Sequence, residues 1–502
     1  MSIASGNADA VTSTARPRHL TLKVLAAILI VIKLWSLVSV NLVSDEAYYW
    51  MWGQHPELSY FDHPPLNAWM IWVSSQLFGH GILQLRMWSV LTTIGTGVIF
   101  WNWAKRFGGA DWEAIFWRSA CIWLAAPMFG VYPTFATSDH LLFFFILLAG
   151  HFLISYLLAV REGGTGKLSD LYLGALFMGV TALSKYNALF FGLALLFYII
   201  GSPKLRRLLR NPHLYLAALL VVAVGSPVLI WNISNGFASF EFHLVERHDA
   251  GFLHRISADY IIEFLIQSAL MATPFCLVGL VAFAFSRPKE GFERTAWGLG
   301  SWFFWLSTIS FLFVALTQQL FPWWNLSAYV LMMPFMGKVM KNRVLFWGHI
   351  VVGLLLSVFY VYSSSVFPVL RLIDRPDPTR ERYYGWDEIA APIEAVIAKY
   401  HPDFIASSKW ESASVVGYAL DNPDVVSISP RMSEYHYWFD KPEREARSGQ
   451  NALVVLQNDA EKAVVDPQFA RLTPIEEVPI VRQGRTMTRY QLYWGEGYTP
   501  SY

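Results

Sequence analysis

The sequence predicts a polytopic α-helical membrane protein of about eleven spans, bounded by nine and thirteen, followed by a small soluble α/β domain. Three observations carry this. Of 502 residues, 55% are apolar and only 15% charged, whereas a soluble chain of this size carries nearer a quarter charged. Apolar runs recur at lengths that suit a bilayer crossing, roughly 20 residues each. The basic residues, finally, gather on one side of the resulting threading.

Taken in order, residues 1–19 are polar and read as a disordered cytoplasmic N-terminus. Arg16, Arg18 and Lys23 flank an apolar run over 20–43. No small-x-small cleavage pattern follows it, so it reads as a retained first span. Further runs lie at 82–104, 112–133, 140–160, 170–184, 188–201, 214–231, 259–285, 296–316, 326–337 and 344–363. With the N-terminus inside, the cytoplasmic loops hold seventeen Lys and Arg, from Arg16 to Arg343. The opposite loops before residue 365 hold Lys185, Arg247 and Arg255, with Arg86 at the edge of a span. Such a bias orients the chain. The net charge of +1 is set loop by loop and leaves no footprint for nucleic acid. Cys121 and Cys276 lie inside apolar runs and read as buried small hydrophobes.

Residues 65–79, PLNAWMIWVSSQLFG, are apolar but too short to cross. They follow Pro64-Pro65, which suits a helix start, and are expected to lie flat in the interface. Past residue 366 the character changes. RLIDRPDPTRERYYGWDE is a polar, Pro-rich linker. Helical patterns at 387–400 and 410–420 then alternate with β-type runs at 403–407, 424–428, 452–457 and 487–494. This is the α/β domain of 366–502, and an odd number of spans places it outside.

The first outer loop, 44–80, opens with SDEAYYWMWGQHPELSYFDHPP. That stretch holds four carboxylates (Asp45, Glu46, Glu57, Asp62) and two histidines, with no Lys or Arg. Other unusual polar groups share its side of the membrane. Asp139 opens the fourth span in TFATSDHLLFF, and Lys185 sits at an outer turn in ALSKYNALF. His243, Arg247 and His248 lie in WNISNGFASFEFHLVERHDAGFLHR, and Trp323 and Trp324 lie in QQLFPWWN. Ionisable groups at membrane depth are costly, so function is their default reading. Each has a structural alternative. Asp45 and Glu46 as solvated loop acids, Asp62, His63 and Asp139 as helix caps, Lys185 snorkelling, lone structural histidines and an aromatic belt would each suffice singly. All of them would have to hold together on one face.

One chemistry uses the whole set: transfer of a sugar from a lipid-borne phosphate. A carboxylate must take the proton of the attacking hydroxyl. A cation must hold the departing phosphate, whose charge grows in the transition state. The acidic loop supplies the base, and Lys185 and Arg247 the cation. Asp62 with His243 or His248 makes a candidate site for a divalent ion, Zn²⁺, Mn²⁺ or Mg²⁺, since carboxylate and imidazole suit such ions.

DEAYYWMW, YFDHPPL, TSDHL, LSKYNA and WNISNGFASFEFHLVERH together resemble bacterial glycosyltransferases of the GT-C superfamily. Within it they resemble the branch of protein O-mannosyltransferases and the lipid A aminoarabinose transferase. The resemblance spans roughly residues 20–340 and implies a GT-C catalytic domain over 20–365. It implies an inverting transferase of the bacterial inner membrane, using a polyprenyl-phosphate sugar on the periplasmic face. Asp45 is then the base or its close partner, with Glu46 and Asp139 as further catalytic acids. Lys185 is the phosphate-binding lysine, with Tyr60, His63, Tyr186 and Arg247 as substrate contacts, and Asp62 is sometimes a metal ligand. Whether His243 or His248 takes the histidine position stays open. The acceptor is expected to be lipopolysaccharide, lipid A or another envelope glycolipid, with protein O-mannosylation as the alternative. A lipid-linked sugar transporter is the rival of another class. Inverted repeats and a mid-bilayer site would mark it, and no repeat is visible.

Overall fold

The computed structural model describes residues 19–244, 256–373, 375, 377 and 383–500. Six helices in it are long and apolar enough to cross a membrane: α1 (Leu20–Ser39), α4 (Ile82–Phe107), α7 (Ser138–Arg161), α10 (Pro212–Ser234), α14 (Gly291–Val314) and α16 (Arg343–Ser365). Two bent pairs raise the count to eight if each is one span. In the first, α5 (Trp112–Ala125) gives way at Ala126 to α6 (Pro127–Gly130), and the axis turns by 93°. In the second, α12 (Ala258–Ala272) meets α13 (Pro274–Ser286) at 98°. A proline opens the later helix of each pair, because it lacks the N–H an interior turn would need yet fits a first turn. Thr273 sits at the second bend with φ 67°, and its hydroxyl accepts from the Cys276 N–H at 3.3 Å.

By length and composition, the expected eleven spans are therefore not reached. The runs at 170–184 and 188–201 form shorter apolar helices, α8 (Leu168–Ala182) and α9 (Ala188–Gly201). The run at 326–337 is broken into 3₁₀ turns at Leu326–Tyr329 and Met333–Phe335, leading into α15 (Met336–Val339). Its residues from Leu326 to Gly337 are buried. A Cβ on Gly337 would stand 2.2 Å from the Ile115 carbonyl oxygen, so this segment satisfies its hydrophobicity against other helices rather than lipid. Among the spans α7 is the most buried and α10 the least. α7 packs on α8, α4 and α14 and forms the centre of the bundle.

Two short helices lie between α1 and α4. α2 (Ser44–Gln54) buries Tyr48, Tyr49, Trp50, Met51 and Trp52. α3 (Leu66–Phe78) starts after Pro64-Pro65, as expected, and leaves Trp72, Leu77 and Phe78 exposed.

The C-terminal region folds around a five-stranded sheet of order β2-β1-β3-β5-β4. β1 (Phe404–Ser407) runs parallel to β2 (Val426–Ser427) and to β3 (Ala452–Leu456). β5 (Arg485–Tyr498) is antiparallel to β3 and to the edge strand β4 (Phe469–Arg482). β1 and β3 are buried throughout, as parallel strands covered on both faces should be. This sheet does not stand apart from the membrane helices. The helix Trp410–Ala419 packs on α2, and one apolar cluster joins Tyr48, Trp50 and Met51 to Val416, Tyr418 and Tyr435. Gly417 permits that approach, since a Cβ there would lie 2.8 Å from the Met51 sulfur.

Candidate active site

α2 projects from the membrane helices so that its N-terminal turn borders a cavity of about 390 Å³. Asp45, Asp62, His63 and Lys185 line it, beside Tyr48, Tyr49, Trp323 and Trp324. The C-terminal domain contributes Tyr383, Trp410, Glu411 and Arg431 to the same wall. The acidic loop and the lysine turn, far apart in sequence, thus meet.

Three of the four loop carboxylates are tied to donors. Glu46 lies fully buried against Arg86, which binds it in a fork at 2.8 and 2.6 Å. Glu46 also accepts from the Ala136 N–H at 2.8 Å. Arg86 spends its other donors on the carbonyls of Leu37, Val40 and Asn41. The absence of a basic partner in the loop's own sequence is therefore made good from α4. Glu57 accepts indole N–H groups from Trp231 at 2.8 Å and Trp438 at 3.1 Å. Asp62 accepts from the Tyr48 hydroxyl at 2.8 Å.

Asp45 is different. Among the described residues no donor reaches its carboxylate, and it opens onto the cavity. Crowding by the surrounding protein, with Glu411 next in effect, raises its carboxyl from 3.8 to about 6. Lys185 opposes the rise, and Asp62 and Glu46 add to it. The side chain is exposed to the cavity, so this is a solvated, protein-walled space rather than a dry core.

Lys185 occupies the turn between α8 and α9 and is held by Asp139, from the first turn of α7, at 2.8 Å. Both side chains are buried. The Leu66 N–H donates to the Leu183 carbonyl at 2.9 Å and fastens this turn to the start of α3. Asp139 thus stands behind the lysine as its counter-ion and does not border the cavity.

The remaining expected residues divide. His63 borders the cavity and stacks 5.9 Å from His243. The His243 Nε2 is 2.7 Å from the main-chain oxygen of Asp62. Tyr186 bonds Ser239 at 2.7 Å and meets His243 edge-on. Tyr60 lies away from the cavity. Its hydroxyl is 3.0 Å from the carbonyls of Trp52 and His55 and its ring stacks on Trp52, which shapes the loop. Arg247 and His248 lie outside the described residues. The expected ion site includes His248, which lies outside the described residues, so only Asp62 and His243 of that set are described. One carboxylate oxygen of Asp62 is bonded to Tyr48, the imidazole meets a main-chain oxygen, and among the described residues no three His, Cys, Asp or Glu side chains gather as a metal would need.

The C-terminal domain also braces the loop. Glu434 is fully buried, accepts from the Phe61 N–H at 2.5 Å, and donates its own N–H to the Tyr48 hydroxyl at 2.7 Å. Burial first, then Glu57, holds its carboxyl well above the usual range. Nothing local in the sequence marks Tyr383, Trp410, Glu411, Arg431 or Glu434, because each reaches the site only through the docking of its domain.

Membrane helices, a short acidic helix at one end of them and a docked sheet domain form a GT-C-type fold. Comparison with known proteins agrees. Residues 62–231 match the family described as dolichyl-phosphate-mannose-protein mannosyltransferase. The chain is 24% identical to the lipid A galacturonosyltransferase RgtD of Rhizobium johnstonii, over 77% of this chain and 80% of that protein. The crystal structure of ArnT from Cupriavidus metallidurans bound to undecaprenyl phosphate superposes with a TM-score of 0.65 at 17% identity, covering 94% of this chain and 98% of that one. The apo form gives 0.62 at the same identity, covering 94% and 97%. At that identity the likeness is one of fold. The resemblance drawn from the motifs is thus matched in sequence over residues 62–231 and by RgtD, and in fold by ArnT.

Proposed function

We propose that the protein is an inverting membrane glycosyltransferase that moves a sugar from a polyprenyl phosphate to lipid A or another envelope glycolipid. One observation carries the reading: the only loop carboxylate without a donor among the described residues, Asp45, shares a cavity with the cations Lys185 and Arg431. The relative named for lipid A galacturonosyl transfer and the structural neighbour solved with undecaprenyl phosphate support donor and acceptor of these classes.

In this reading an acceptor hydroxyl attacks the anomeric carbon from the face opposite the phosphate. The new C–O bond forms as the bond to phosphate oxygen breaks, and the leaving polyprenyl phosphate keeps the electron pair. Asp45 takes the hydroxyl proton. Lys185 and Arg431 meet the growing phosphate charge. Asp139 and Glu46 act behind the reacting atoms, by fixing Lys185 and the start of α2. Tyr383, Trp410 and Glu411 form the acceptor side of the wall. The division into a polar N-terminus at 1–19, a catalytic membrane domain at 20–365 and an outer domain at 366–502 follows from this. So does placement in the bacterial inner membrane with the site on the periplasmic face, supported by the seventeen basic residues of the opposite loops.

Mass spectrometry of envelope lipids and periplasmic proteins from cells with and without the gene tests the proposal. A sugar-sized loss from lipid A or core is expected in the deletion. The family description favours a second reading, protein O-mannosylation, which would instead remove hexose from secreted proteins. No sugar difference in either fraction, with lipid-linked donor accumulating on the cytoplasmic face, would point to the transporter. A divalent ion held by Asp62 with His243 or His248 has its own measurement. Loss of transfer in EDTA, restored by Zn²⁺, Mn²⁺ or Mg²⁺, would support it, and undiminished transfer would leave the charge to Lys185 and Arg431.

Lys185→Gln should weaken binding of the polyprenyl phosphate by about tenfold to a hundredfold, the worth of a hydrogen bond to a charged group. It also leaves Asp139 buried and uncompensated. The double variant Lys185→Met/Asp139→Leu should recover thermal stability but not donor affinity. Recovery of both would remove Lys185 from the phosphate site.

A further inference from the structure

A second large concavity lies at the other end of the bundle. Asp139 and Arg161 stand near opposite ends of α7. At 1.5 Å per residue they are separated by about 33 Å, close to the thickness of a bilayer's hydrocarbon core. At the Arg161 end a cavity of about 710 Å³ opens between the ends of α7, α9 and α13 and the start of α14. Four cations border it: Arg161, Lys204, Arg287 and Arg294.

No carboxylate is among the described residues that line this space. Glu293, beside Arg294 in sequence, is turned away to Lys338 at 2.5 Å. Among the described residues Arg161 is bonded to neutral oxygens, the Tyr198 hydroxyl at 3.2 Å and the Ser202 hydroxyl at 3.3 Å. Arg294 lies 4.3 Å from the centre of the Trp297 ring. The positive-inside bias explains why the loops here are basic, but it does not require four cations to face one hollow. Gathered like charges repel unless an anion sits among them, and guanidinium groups suit phosphate oxygens by geometry as well as charge. At the rim the chemistry reverses, for Phe285 and Trp302 are exposed at 67% and 41%. A polar floor with apolar, outward-facing walls fits an amphiphile better than a free ion.

We propose that this cavity binds the phosphate headgroup of an anionic glycerophospholipid in the leaflet opposite the transfer site, with acyl chains running along Phe285 and Trp302. Basic pockets between membrane helices on the cytoplasmic side are a recurrent device for such headgroups. The inference is independent of the sugar-transfer reading, because none of these residues borders the cavity at Asp45.

The full chain, purified in a neutral detergent, is titrated with dioleoylphosphatidylglycerol, with dioleoylphosphatidylcholine and with inorganic phosphate. Retained lipid is counted by native mass spectrometry and the melting temperature is followed in parallel. Phosphatidylglycerol should be retained at concentrations at least tenfold below phosphatidylcholine and should raise the melting temperature, while inorganic phosphate should not. The exposed pair Lys204→Gln/Arg287→Gln should weaken that retention about tenfold or more with the lipid-free melting temperature unchanged. Equal retention of the two lipids, or equal retention of phosphatidylglycerol by the native and altered chains, overturns the proposal. Inorganic phosphate matching phosphatidylglycerol overturns the lipid assignment in favour of a free-anion site.

Discussion

Asp45→Asn should lower the rate of sugar transfer by about 10²–10⁴-fold, the range a positioned general base contributes, while the purified protein still binds polyprenyl phosphate. The substitution keeps the shape and removes the charge. A second readout separates chemistry from damage. In the native protein the Asp45 carboxyl sits at about 6 against an ordinary 3.8. The folded state therefore holds that proton more tightly than the unfolded chain. This group favours folding at low pH and loses that contribution as pH rises through the window from 3.8 to 6. Asparagine has no such dependence, so Asp45→Asn should melt no lower than the native protein at pH 7. The transfer rate should show the opposite sign. Only the ionised carboxylate accepts a proton, so kcat/KM should climb through about pH 6 and then level. Full activity in Asp45→Asn would transfer the base role elsewhere, and Glu411 is a candidate in the same wall.

Arg86→Ala should destabilise the protein by about 3–5 kcal/mol, the usual loss when one partner of a buried ion pair is removed. Glu46 would be left charged with no exposure, and the carbonyls of Leu37, Val40 and Asn41 would lose their donors. Arg86→Lys should rescue little, because an ammonium cannot reproduce the fork on the carboxylate and the bonds to three carbonyls together. Thermal melts in detergent, read by tryptophan fluorescence, would show the loss. A native melting temperature for Arg86→Ala would mean that the pair contributes nothing to holding α1, α2 and α4 in place.

Much of this architecture is legible in the linear chain. Apolar length is a local property, so the principal spans and the C-terminal sheet domain follow from it. The run at 326–337 shows where such reasoning stops. Its composition matches a span, but burial inside a protein and burial in lipid demand the same side chains, and hydropathy does not separate them. β4 is missed for another reason. Pro474 and Pro479 argue against a central strand, and here the strand is an edge with register shifts at Pro474/Glu476 and Ile480/Val481. The site divides in the same way. Asp45, Asp62, Asp139 and Lys185 are conspicuous because charge near a membrane is costly. Arg86 is visible too, yet its partner is forty residues away. Arg431 and Glu411 look like any surface residues of a soluble domain until that domain is seated on α2.

That seating has a consequence for when the protein becomes active. The Phe61–Glu434 contact joins positions 373 residues apart, so the acidic loop stays unbraced during synthesis until the chain has been made past residue 434. A nascent protein would carry its acids and lysine in the membrane well before it could align them. A chain stopped at residue 402 should insert normally yet leave residues 44–65 open to protease, and equal protection with and without the domain would contradict this. Completion and docking of the C-terminal domain, rather than insertion of the helices, would then be the event that starts turnover.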